Sequence, residues 1–239
     1  MTNHAFNTVS VPDGSSMDVY TAFPDGTGPS PAIIVLQEAF GVNSHIRNTS
    51  ERLCSEGYAV VAPDLFHRTA KRVEIAYADF AANMSHFQAI TTEGLEADLT
   101  ACADWLKTQD QVQAGRLGAI GFCLGGRVAF LANTILPLQA AVSYYGGRTE
   151  QYADRADRLR GPHLFFWGGL DKHITTDQIN MVMDAVKNAG KAYTDVRISY
   201  ADHGFNCDER SSYNPEAAAE AWAHTLAFLA NRLKDNRRK

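Results

Sequence analysis

Residues 117–126, L-G-A-I-G-F-C-L-G-G, leave the backbone little choice. An apolar run rich in small residues ends at Gly121, a cysteine follows between glycines, and an apolar helical stretch begins at once. A strand that turns this abruptly into a helix crowds its own bend. The flanking positions have no room for Cβ atoms, and one side chain is held up at the corner. The G-x-S-x-G elbow of hydrolytic enzymes follows this logic, and here Cys123 takes the central place. A lone cysteine after a strand is otherwise a small core residue, so the rest of the chain must decide between the two readings.

The same strand-then-helix pattern runs through most of the 239 residues. Two short strands, 8–11 and 17–23, flank the turn Pro12-Asp13-Gly14, and the turn cluster 24–29 closes this ribbon. Continuous apolar runs at 32–36, 58–62, 117–122, 140–144 and 163–167 read as strands buried on both faces, and 192–200 as a further strand. Between them, 46–56, 72–88, 95–106, 124–134, 178–188 and 215–233 carry helical periodicity, with Gly57 where the first helix stops and Pro215 in the first turn of the last. Alternation of this kind predicts an α/β fold with a mostly parallel central sheet and helices on both faces. No repeat, low-complexity tract or linker interrupts it, so 1–239 reads as one domain.

Ligands of open parallel sheets sit beyond the carboxyl ends of the strands. The residues found there are Gln37-Glu38-Ala39-Phe40-Gly41, Cys123, Tyr145-Gly146-Gly147, Gly168-Gly169-Leu170-Asp171 and Ala201-Asp202-His203-Gly204-Phe205. Thiol, acid and imidazole follow in that order, which is the chain order of the α/β-hydrolase triad. A free thiol is only a few per cent thiolate at neutral pH, and a neighbouring histidine raises that fraction. A carboxylate on the far side of the histidine fixes its tautomer. The expectation is Cys123 as nucleophile, His203 as base and Asp171 as its orienter, with the helix dipole at 124–134 favouring the thiolate. The backbone N–H of Leu124 would face the oxygen of a tetrahedral intermediate, with the N–H of Ala39 as the candidate second donor.

Composition narrows the partners. A net charge of −5 gives no reason to expect nucleic acid or an anionic membrane, and the basic cluster Arg237-Arg238-Lys239 reads as a short solvated tail. Cys54, Cys102, Cys123 and Cys207 lie far apart without a C-x-x-C pair, which argues against structural zinc and against a disulfide scaffold. The first ten residues lack the basic start and apolar core of a signal peptide, and no run approaches the ~18 apolar residues of a spanning helix. The expectation is a reduced, cytoplasmic protein without metal or organic cofactor, acting on a small molecule.

Q-E-A-F-G-V-N (37–43), P-D-L-F (63–66), G-F-C-L-G-G (121–126), S-Y-Y-G (143–146), G-G-L-D (168–171) and H-G-F (203–205) resemble the dienelactone hydrolase family, in order and over nearly the whole chain. The resemblance implies an α/β-hydrolase fold, a Cys-Asp-His triad and hydrolysis of an enol lactone, carboxymethylenebutenolide, to maleylacetate. It implies Cys123 as nucleophile, His203 as base and then acid, and Asp171 as orienter. It also implies that Glu38 interacts with the resting thiol and gates its activation, although from the residues alone Glu38 is equally a loop-capping carboxylate. The family's substrate-holding arginines would fall shortly after H-G-F, where this chain has Asn206-Cys207-Asp208, and after P-D-L-F, where it offers Arg68, Lys71 and Arg72. Arg127 and Arg210 are the other candidate cations, and His173 is a rival imidazole two residues from the acid. The competing reading is a non-catalytic small-molecule binder on the same fold, which would melt higher with ligand and turn nothing over. The spacing at 118–126 is not that of a dinucleotide loop. Substrate, and whether the chain is a monomer or a homodimer, stay open at this level.

Overall fold

Local rules account for most element boundaries. The computed structural model describes residues 3–26 and 28–234, and the chain divides into two compact units, Met1–Leu117 and Gly118–Lys239. Thr27 of the turn cluster and the basic tail 237–239 lie outside the described residues.

In the first unit β1 (Asn3–Ser10) and β2 (Ser16–Phe23) form an antiparallel hairpin, in register from Asn3 opposite Phe23 to Ser10 opposite Ser16. The first strand therefore starts well before the expected 8–11, because it is paired along its whole length. Gly14, at φ +87°, makes the turn, and the Asp13 carboxylate accepts from the Ser15 N–H at 2.9 Å. β2 pairs antiparallel with β4 (Ala59–Pro63), and β4 pairs parallel with β3 (Ser30–Leu36). Every residue of β4 and the last five of β3 are buried, which explains their unbroken apolar runs. Helix α1 (Ser44–Ser55) begins where the Asn43 side chain accepts from the Ile46 N–H, and the chain leaves it through Gly57 at φ +88°.

The segment 72–88 departs from the sequence reading. Instead of one amphipathic helix it holds a 3₁₀ turn, Phe80–Asn83, and a single helical turn, α2 (Met84–Gln88). The N–H of Arg72 donates to the Asp64 carboxylate at 2.7 Å and that of Ile75 to the Phe40 carbonyl at 3.2 Å. These long-range bonds replace the i→i−4 bonds a helix would need, and Arg72 itself sits at φ 52°. A periodicity count cannot see such partners. Helix α3 (Thr92–Lys107), capped by the Thr91 hydroxyl on the Gly94 N–H, follows.

β5 (Val112–Phe122) begins earlier than the apolar run at 117, and its end belongs to the second unit. There β5, β6 (Ala140–Tyr144), β7 (His163–Gly168) and β8 (Tyr193–Ile198) pair in parallel in that order. Helix α4 (Leu124–Ile135) packs on β6, and α6 (Pro215–Leu233) packs on β6 and β7. Helix α5 (Thr176–Asn188) packs on a 3₁₀ segment, Thr149–Arg158, that no sequence pattern announced. A capping box between Thr175 and Gln178 starts α5. The four cysteines are unbridged. Among the described residues no helix is long and apolar enough to cross a membrane.

Candidate active site

The bend after β5 has the strain its sequence implied. Cys123 stands at φ 53°, ψ −112°, a region that costs a side-chain-bearing residue roughly 1–3 kcal/mol and persists only when its surroundings enforce it. Here they do. A Cβ on Gly121 would lie 1.9 Å from the carbonyl oxygen of Gly125, and one on Gly126 would lie 2.7 Å from the Cα of Gly146. The N–H of Cys123 donates to the Tyr144 carbonyl at 3.0 Å and that of Gly126 to the Cys123 carbonyl at 3.0 Å. Strand end and first helical turn are thus pressed together, and the thiol is left half-buried at the corner with α4 starting at Leu124.

Two loops deliver its partners. Those after β7 and β8 touch backbone to backbone: a Cβ on Gly168 would lie 2.6 Å from the Ala201 carbonyl oxygen, and one on Gly169 2.6 Å from the Cα of Ser199. The N–H of Leu170 donates to the Ala201 carbonyl at 2.9 Å. This close approach carries Asp171 against His203. Asp171 Oδ2 lies 2.7 Å from His203 Nδ1, and His203 Nε2 lies 3.1 Å from Cys123 Sγ. The other carboxylate oxygen, Oδ1, accepts from the N–H groups of His173 at 2.7 Å and Ile174 at 3.2 Å. Three residues separated by up to 80 positions therefore form one hydrogen-bonded line.

Electrostatics favour charge along that line. Burial works against the Asp171 carboxylate, but the His203 ring and the two loop amides outweigh it and hold its pKa below the usual range. Burial likewise opposes a charged His203, yet the Cys123 sulfur and then the Asp171 carboxylate lift the imidazole to about 10. A protonated imidazole beside the thiol is the arrangement that holds a sulfur as thiolate. His173, the rival imidazole, is exposed and meets His203 edge-on with ring centroids 5.2 Å apart. Its N–H, not its ring, is what reaches the acid.

Glu38 and Ala39 belong to the first unit, where both are buried. Glu38 Oε2 accepts from the Tyr77 hydroxyl at 3.0 Å, and that hydroxyl oxygen accepts from Asn43 Nδ2 at 2.9 Å. Tyr77 reads in the sequence as an apolar position of a helix that does not form, so its polar end was missed. Tyr145 was also missed as a neighbour of the base. It is fully buried at φ 38°, with its ring centroid 5.1 Å from that of His203. The basic residues after P-D-L-F have acidic partners: Arg68 pairs with Asp13 and Asp98, while Lys71 and Arg72 pair with Asp18. Arg127 is buried, and burial lowers its pKa. The Arg210 guanidinium lies against Gly204, where a Cβ would meet its Cζ at 2.4 Å, beside the base.

Residues 17–233 match the model of the dienelactone hydrolase family. A Synechocystis sp. protein provisionally named a carboxymethylenebutenolidase is 34% identical over 225 residues, covering 90% of this chain and 92% of its own. The carboxymethylenebutenolidase of Pseudomonas putida is 31% identical over 221 residues, 91% of this chain and 92% of that one. Among solved structures, a Klebsiella pneumoniae protein described provisionally as a dienelactone hydrolase superposes with a TM-score of 0.84 at 33% identity, covering 95% of this chain and 99% of that one. The fold is thus the α/β-hydrolase fold, a mostly parallel sheet with helices around it, and the chain belongs to the dienelactone hydrolase family.

Proposed function

We propose that this family member hydrolyses small lactones or esters, including enol lactones of the carboxymethylenebutenolide type, with Cys123 as nucleophile. The observation that carries the reading is the line Cys123 Sγ, His203 Nε2 at 3.1 Å and His203 Nδ1 to Asp171 Oδ2 at 2.7 Å, set on a bend with positive φ. The thiolate attacks the carbonyl carbon, and the carbonyl electron pair moves onto oxygen. The backbone N–H groups of Leu124 and Ala39 are the proposed donors to that oxyanion. Collapse of the intermediate expels the alkoxide or enolate, which takes the His203 proton, and leaves an acyl-enzyme. Neutral His203 then draws a proton from water, the resulting hydroxide attacks the thioester, and the acid departs as the thiolate re-forms. Asp171 holds the imidazole in the tautomer that faces the sulfur throughout. Glu38, buried and held by Tyr77, is the proposed partner and gate of the resting thiol.

No metal or organic group has a part in this sequence of steps. Residues 1–239 are taken as one working domain, in a reducing, cytoplasmic setting that suits four unbridged cysteines. A panel of enol lactones and activated esters, run against wild type, Cys123→Ala and Cys123→Ser, tests the proposal. Cys123→Ala is expected to be inactive and Cys123→Ser weak. Full activity in Cys123→Ala on any substrate the wild type turns over defeats it.

A further inference from the structure

A second polar line runs beneath the bend and takes no part in the chemistry above. His163, at the start of β7, is fully buried, and its ring stacks on Phe165 with centroids 4.1 Å apart at 14°. Its Nε2 lies 2.8 Å from Ser143 Oγ on β6, and Ser143 Oγ donates to the Gly126 carbonyl at 2.5 Å. Its Nδ1 lies 3.3 Å from Asn133 Nδ2 on α4. The Asn133 amide is itself locked: Nδ2 donates to the Gly161 carbonyl at 2.8 Å and Oδ1 accepts from the Gly161 N–H at 2.9 Å.

These bonds allow one proton arrangement. The Gly126 atom facing Ser143 is the carbonyl oxygen, an acceptor, so the Ser143 hydroxyl hydrogen points there and its oxygen accepts from His163. The N–H of Gly161 fixes the Asn133 oxygen, so the Asn133 nitrogen must donate to His163 Nδ1. Both ends agree on the neutral tautomer with hydrogen on Nε2. Burial drives the imidazole down to about 3, which keeps the ring neutral at pH 7 and agrees with that arrangement.

We infer that Ser143 and His163 are positioning residues that tie both ends of α4 to the sheet and so fix its first turn, which carries the Leu124 amide. Gly126 is in the first turn of α4 and Asn133 in its last, and the single imidazole bonds toward each. Unhooking the Gly126 carbonyl lets the first turn shift, and an oxyanion donor works only within a few tenths of an ångström of its place. Cys123 itself is held by its own N–H on the Tyr144 carbonyl at 3.0 Å, a bond the Ser143 side chain does not touch, and His203 by the loop after β8, so the thiol–imidazole contact should survive. This inference rests on the proposed function of the preceding subsection.

The test is steady-state kinetics together with the rate of Cys123 alkylation by iodoacetamide across pH. Ser143→Ala is expected to lower kcat about tenfold, less than deleting an oxyanion donor outright, with KM within about twofold and an unchanged alkylation profile. His163→Phe keeps the ring stack and leaves the Ser143 hydroxyl on Gly126 without its orienting partner, so its loss should be smaller, and the double variant should be no worse than Ser143→Ala because both act through one line. Wild-type kcat in Ser143→Ala, losses that multiply in the double variant, or an alkylation profile that shifts would each overturn the inference. If His163→Phe does not fold, Ser143→Ala decides alone, with kcat expressed per folded molecule. Wild-type kcat in Ser143→Ala beside an inactive Cys123→Ala sinks only this inference, whereas activity in Cys123→Ala sinks the function on which it rests.

Discussion

Asp171→Asn removes one charge and no volume, and the structure dictates which way the new amide must face. The present Oδ1 accepts from two backbone N–H groups, of His173 at 2.7 Å and Ile174 at 3.2 Å. An amide NH2 there would set donor against two donors, so the asparagine oxygen has to occupy that side. Its NH2 is then forced to the position 2.7 Å from His203 Nδ1, where only a carboxylate oxygen stood. A donor in that place requires Nδ1 to accept, which moves the imidazole hydrogen to Nε2 and points it at the thiol. In that tautomer His203 cannot take a proton on the side facing sulfur. The charge that helps lift the imidazole to about 10 is lost as well. A wrong tautomer in a serine triad costs about 10⁴ in kcat. A thiol needs less help than a hydroxyl, so the loss expected here is roughly 10³, or about 4 kcal/mol at 1.36 kcal/mol per decade. Stopped-flow acylation with an activated ester measures it directly, and thermal melting checks that the fold is intact. An intact Asp171→Asn protein that acylates within tenfold of wild type would refute the assignment of Asp171 as orienter.

Because the pKa of His203 is raised from 6.5 to about 10, its charged form contributes stability that is complete below pH 6.5 and fades as pH rises through about 10. The melting-temperature advantage of wild type over His203→Gln should shrink across that window, and a gap that widens with pH contradicts the stated sign. Cys123→Gly abolishes turnover, yet by releasing the strain at φ 53°, ψ −112° it should raise stability by about 1 kcal/mol in urea unfolding. Tyr77→Phe takes the hydroxyl away from buried Glu38 and from Asn43, and chemical denaturation should register a loss of about 1–2 kcal/mol.

The sequence displayed much of the candidate site because each part has a local signature. Gly121 and Gly126 advertise a turn without room for side chains, and the structure puts backbone atoms where their Cβ atoms would be. Strands β6 and helix α6 match the expected 140–144 and 215–233, since their apolar patterns reflect burial along a single element. The segment 72–88 failed for the opposite reason. Its periodic apolar residues are real, but the backbone bonds that replace a helix go to the Asp64 carboxylate and the Phe40 carbonyl, both outside the segment itself. Tyr77 was lost with it, as was the possibility of reading Arg68, Lys71 and Arg72 as already paired with Asp13, Asp18 and Asp98.

By itself the sequence determined the alternation of strand and helix, the strained bend at Cys123, and the placing of Asp171 and His203 just after strands. All of these follow from sterics and burial acting over a few neighbouring residues. Only the tertiary structure decided that Asp171 and His203 meet Cys123 in one line, which of their atoms face each other, and that His163 is locked neutral beneath the bend. Those outcomes depend on backbones closing to within a few ångströms across separations of up to 80 positions. Such distances are set by packing of the whole sheet and carry no mark in any local stretch of the chain.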